Sequence, residues 1–162
     1  DDLHFDFSRA NKGVADYPSF NADSMWYHFT VDTTSPSMCI VYFIGQPSHN
    51  WKERTNLQPH VHYHYTVGQG VPTFRLKMKW FNMDEMTGGY KYYILSGNTG
   101  TINNSMQLCY LNYLSGAGKK INSIMVMQLY LVSQTGSGGI DAYFFDMHYE
   151  IDGLGSSTIT SK

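Results

Sequence analysis

The chain of 162 residues has the length of one domain, and its 11 basic and 13 acidic residues leave a formal charge of −2, too little to draw in a nucleic-acid backbone. Charged residues make up only 15% and aromatics another 15%, with 13 Tyr, 9 Phe and 3 Trp, a balance that argues against disorder and for strands and contact surfaces. No apolar run approaches the ~18 residues of a bilayer span, so the expectation is one soluble domain over residues 1–162, with neither nucleic acid nor membrane as a partner.

Period-two patterns recur along the chain in place of the three-and-four spacing of a helix. Leu3, Phe5 and Phe7 alternate with His4 and Asp6. Strands are then expected over 25–31, 37–44, 58–67, 73–83, 90–95, 103–114, 121–132 and 140–151, with a short tail strand over 156–160. Turn formers such as Thr34-Ser-Pro-Ser37, Ser96-Gly-Asn-Thr-Gly100 and Thr135-Gly-Ser-Gly-Gly139 separate them. About nine strands punctuated in this way predict an all-β sandwich or barrel. The long connections are 8–23 and 46–56, and the second, carrying Trp51 and Lys52, is the first place to look for loop-borne function.

Three strands differ in their faces. In Phe74-Arg-Leu-Lys-Met-Lys-Trp80 the apolar residues point one way and Arg75, Lys77 and Lys79 the other, the pattern of a half-solvated strand. Between Ile124 and Leu131 both faces are apolar, so one packs in the core and the other needs a cover. A neighbouring subunit would serve, with Met125, Met127, Leu129 and Leu131 as its expected contact. In Phe145-Asp-Met-His-Tyr-Glu-Ile-Asp152, one face is Phe145, Met147, Tyr149 and Ile151, and the other, Asp146, His148, Glu150 and Asp152, is wholly ionisable.

Chemistry is most strongly invited by Pro59-His60-Val-His62-Tyr-His64-Tyr65, which places three imidazoles on one strand face at steps of ~6.6 Å. His60, His62 and His64 are therefore the candidate metal ligands, with His148 and Asp146 as a source of further donors. The plainer reading is a polar strand face, exposed or hydrogen-bonded to Asp146 and Glu150. The pattern resembles the first motif of cupin-type metalloenzymes, yet that motif needs a Glu soon after the second His, and Tyr63-His-Tyr-Thr-Val-Gly-Gln-Gly70 holds no carboxylate. No nucleophile elbow or phosphate-cradling loop is present, and Cys39 and Cys109 sit inside apolar runs as small hydrophobes. No catalytic residue and no cofactor are expected.

Three segments together resemble a family of tailed-bacteriophage virion proteins. Its frame has a Trp-Asp-Asp-Leu-like opening, a middle Trp-Lys-Glu-Gly-Thr-Asp leading to Pro-His-Ile/Val-His-Trp, and a close of Asp-Phe-His-Tyr-Gln/Glu-Ile-Asp followed by Gly-Ser. Here these are Asp1-Asp2-Leu3, Trp51-Lys-Glu-Arg-Thr55 leading to Pro59-His-Val-His62, and Asp146-Met-His-Tyr-Glu-Ile-Asp152 with Gly155-Ser156. Arg54 stands where glycine is usual and Tyr63 where tryptophan is usual; Arg54 asks that turn for a negative φ unless the turn tolerates strain. His64 lies outside the frame. The resemblance implies a non-enzymatic virion component on the particle surface, an antiparallel two-sheet sandwich of jelly-roll type. It also implies an oligomer, expected to be a trimer, that docks on other virion proteins of head or tail. Similar His-X-His sites occur in trimeric phage fibre and spike proteins, where a threefold axis gathers histidines from each chain around one ion.

A second expectation is a carbohydrate- or receptor-binding module that meets host-surface glycan through Trp26, Trp51, Tyr90, Tyr92 and Tyr93, with Trp51 as the exposed platform. The third and most remote is a histidine-dependent metalloenzyme.

Overall fold

Alternation of apolar and polar residues decides most of the strands. The computed structural model describes residues 1–6, 11–12, 19–21, 26–29, 40–65, 71–85, 89–97, 106–135 and 139–152. Among these residues there are eleven strands and no helix: β1 (Asp2–Asp6), β2 (Asn11–Lys12), β3 (Ser19–Asn21), β4 (Trp26–Phe29), β5 (Ile40–Gly45), β6 (Leu57–Tyr65), β7 (Pro72–Phe81), β8 (Lys91–Gly97), β9 (Gln107–Tyr110), β10 (Ile124–Gln134) and β11 (Ile140–Tyr149). All pairings are antiparallel. β2 and β3 fall inside 8–23, expected as a loop; at two and three residues they are too short to show a period. The expected tail strand over 156–160 lies outside the described residues.

The main strands run in the order β5-β10-β7-β8-β9-β6-β11-β4. The hydrogen-bonded path folds over at β8 and β9, which share only the pairs Ser96↔Tyr110 and Gly97↔Cys109. Gly97 is needed at this corner because a Cβ there would come within 2.7 Å of the Tyr63 hydroxyl and 2.9 Å of Pro72. The two halves, β5-β10-β7-β8 and β9-β6-β11-β4, face each other across the core. Phe29 of β4 meets Phe74 of β7 at 5.4 Å between ring centroids, and Phe43 of β5 meets Phe145 of β11 at 5.6 Å. From β4 onward, every connection except the β7–β8 hairpin passes from one half to the other, so the chain is an antiparallel two-sheet sandwich with jelly-roll winding. β2 and β3 extend its edges, and β1 lies along β11.

One face of the doubly apolar strand is the core face. Met125, Met127, Leu129 and Leu131 of β10 are buried, which overturns their assignment to a subunit contact. β10 is central in its half, and its pairings run Phe43, Met127 and Met78 into one apolar row and Val41, Leu129 and Leu76 into the next. These rows are the floor of the core. The opposite face, Ile124, Val126, Gln128, Tyr130 and Val132, is the outer one and is half-buried.

Candidate functional site

The outer surface of the β9-β6-β11 half collects the histidines. In β6, Leu57, Pro59, Val61 and Tyr63 point into the core, so His60, His62 and His64 point out. In β11, Phe145 and Met147 point in and Asp146 points out, and the register aligns His60 with Asp146. Asp141, five residues earlier, would face inward on a regular strand. A slip in the pairing between Ala142 and Phe144 reverses the alternation and turns Asp141 outward opposite His64.

Each aspartate thereby lies between histidines of two neighbouring strands. Asp146 has His60 on β6 and His4 on β1, while Asp141 has His64 on β6 and His28 on β4. His4 Nδ1 is 2.7 Å from Asp146 Oδ1, and His62 Nε2 and His60 Nε2 are 3.1 and 3.6 Å from Oδ2. His60 and His62 bring their Nε2 atoms to 3.0 Å of each other. His28 Nδ1 lies 2.6 Å from Asp141 Oδ1, and His64 Nδ1 stands off at 3.7 Å from Oδ2. The three-histidine strand is thus divided between two carboxylates, and His64 does not join His60 and His62.

Burial sets the electrostatics. The Asp146 side chain is only 3% exposed. That burial alone would raise its carboxyl pKa, but hydrogen bonds from His60, His62 and His4, together with the charge of His4, hold it well below the usual carboxylate range. His148 stacks on His60 at 4.4 Å between ring centroids and is itself paired with Asp2. Phe144 covers the other side, 4.7 Å from the His62 ring. Among the described residues, donor atoms of His60, His62 and Asp146 lie within 4.8 Å of one another, the spacing of ligands to one ion. Glu150, expected beside the histidines, instead pairs with Lys52 at 3.2 Å.

His4, His28 and Asp141 were missed from sequence. They lie far from β6 along the chain, and only strand pairing and the slip in β11 bring them to it.

Trp51 is not a platform. It is 0% exposed, tilts against Trp80 at 5.6 Å and lies beneath Gly116, where a Cβ would press to 2.9 Å from its ring and 1.9 Å from Thr55 O. The polar residues of the loop face water around it while backbone bonds pin it: Trp51 N donates to Ser48 O at 2.9 Å and Lys52 N to Glu150 O at 2.8 Å. The adjoining turn, closed by Thr55 N to Lys52 O at 3.2 Å, holds Arg54 at φ 68°. Of the two alternatives for Arg54, a negative φ or a tolerated strain, the turn takes the second: the residue stands in the left-handed region that glycine would fill without strain.

Two further features carry little chemistry. A cleft lined by Trp80, Phe81, Tyr93, Lys91, Glu85 and Lys119 has its carboxylate engaged. Glu85 accepts from Asn82 N at 3.2 Å and Lys119 Nζ at 3.1 Å, and these bonds, the backbone one foremost, hold it below its ordinary range. Cys109 is a buried free thiol, its ionisation pushed far up by burial. Cys39 lies outside the described residues.

In comparisons with known proteins, no family model and no curated protein matches the chain.

Proposed function

We propose that the chain is a non-enzymatic structural subunit of a tailed-bacteriophage particle, a jelly-roll module that associates with copies of itself, as a trimer, and docks on other virion proteins at the particle surface. The observation that carries this reading is an apolar band across the outside of the fold-over corner. Tyr92 and Ile94 of β8, Tyr110 and Leu108 of β9 and Phe144 of β11 are 60, 44, 41, 36 and 38% exposed. They are contiguous: Ile94 is two residues from Ser96, which pairs with Tyr110, while Leu108 lies opposite His62 and His62 opposite Phe144. Monomers rarely leave such a band in water, and aromatic residues of this kind anchor protein contacts. The three-segment resemblance to virion proteins points the same way.

Sedimentation of purified chain with tailed-phage particles that lack it tests the reading. Saturable binding is expected, with loss of at least tenfold in affinity when Ile94→Arg and Leu108→Arg are combined, because a chain that no longer trimerises docks through one copy instead of three. Absence of binding to any particle, head or tail, would contradict it.

A glycan-binding reading is favoured only by Tyr90 and Tyr92, exposed rings with Lys77 Nζ 4.4 and 5.9 Å from their centroids. A blank glycan array would remove it.

A further inference from the structure

We infer that His60, His62 and Asp146 form a binding site for one first-row divalent transition ion on the outer face of the β6–β11 pair. The site lies within a single chain and does not depend on the assembly proposed above.

The three donor atoms form a triangle with edges of 3.0, 3.1 and 3.6 Å. An ion bonded at about 2.1 Å to nitrogen and oxygen separates its ligands by about 3.0 Å in octahedral and about 3.4 Å in tetrahedral geometry. The triangle has the size of one face of such a polyhedron, and an ion about 0.9 Å above its plane would reach all three atoms at about 2.1 Å.

Protons serve the same triangle less fully. Its two short edges, 3.0 and 3.1 Å, meet at His62 Nε2, and the third, 3.6 Å, is longer than a hydrogen bond. If His62 Nε2 carries the proton, that one hydrogen is shared between Asp146 Oδ2 and His60 Nε2, and the edge between those two atoms holds none. If His60 Nε2 carries it, the His62 lone pair faces Asp146 Oδ2 at 3.1 Å. With protons on both, two N–H groups meet across 3.0 Å. A cation turns all three lone pairs to use.

The surroundings suit a ligand set. His60 Nδ1 is 3.5 Å from Gln58 O, which favours the tautomer whose Nε2 lone pair is free. His4 holds the other oxygen of Asp146 at 2.7 Å and so fixes the carboxylate. The His148 ring packs on His60 and limits its rotation. Two imidazoles and one carboxylate on one face leave the remaining positions open to water or to an incoming group, and the mixed nitrogen and oxygen donors select Zn2+, Co2+, Ni2+ or Fe2+ over Ca2+ or Mg2+.

The full chain, stripped with a chelator and titrated with Zn2+ by calorimetry and with Co2+ by visible absorption, tests the site. One ion per chain is expected, with Co2+ ligand-field bands, and a rise in Tm of about 5–10 °C at a hundredfold excess of Zn2+ over its Kd. His62→Ala, at a half-exposed position, and Asp146→Asn are each expected to weaken binding at least tenfold, while His64→Ala leaves it unchanged. Circular dichroism of the metal-free variants, matched to the parent, shows that a loss is local. Failure of the parent to bind, equal binding by folded His62→Ala, or an equal loss in His64→Ala would overturn the assignment.

Discussion

The two sheets share one interior and present different exteriors. Outside β10-β7-β8, the cations Arg75, Lys77 and Lys79 lie over Tyr130, Tyr92 and Tyr90 at 4.4–5.9 Å from the ring centroids, half-exposed and hydrated. Outside β9-β6-β11, Asp146 and His60 are each 3% exposed and find their partners in one another and in His62 and His4. The difference lies in what water can replace. A lysine that loses a ring on the first face turns to solvent, whereas an imidazole that loses Asp146 is left with a buried polar edge. The second face is therefore a fixed arrangement of donors and the first a solvated surface.

Substitutions sharpen that contrast, beginning with the core that both sheets share. Trp51→Ala should cost about 3–5 kcal/mol in urea unfolding, whereas its neighbour Lys52→Ala should stay within about 0.5 kcal/mol. A small effect of Trp51→Ala would return that residue to the surface. Asp146→Ala, in chelator, should cost about 3 kcal/mol, because His4 and His62 lose the buried carboxylate that accepts from them. Lys77→Ala on the other sheet should cost at most about 1 kcal/mol, the worth of an exposed cation over a ring. Equal costs for these two would erase the distinction between the faces. Arg54→Gly should stabilise by about 0.5–1 kcal/mol through relief of its positive φ. Cys109, its thiol held un-ionised by burial, should resist alkylation in the native protein at pH 8 and react once urea unfolds it.

Strand alternation made the sandwich legible in advance. Phe74, Leu76 and Met78 against Arg75, Lys77 and Lys79 announced both the strand and its inward side, and the same rule placed His60 and His62 on one outer face with Asp146. Where both faces were apolar, as from Ile124 to Leu131, alternation could not say which was covered by the chain itself. The central position of β10 decides that. Trp51 was misread because its sequence neighbours are polar, although a loop can turn its charges outward while its one large ring plugs the end of the core. The second aspartate, Asp141, was hidden by the slip near Tyr143, since a shift of one residue exchanges inside for outside and leaves no mark in composition.

The mass of the purified chain in solution tests the proposed role most directly. Sedimentation equilibrium at micromolar concentration should give three times the 18.5 kDa chain mass, falling to one chain when Ile94→Arg and Leu108→Arg interrupt the apolar band. A parent that stays at 18.5 kDa throughout that range would contradict the trimeric assembly and the use of that band as its contact.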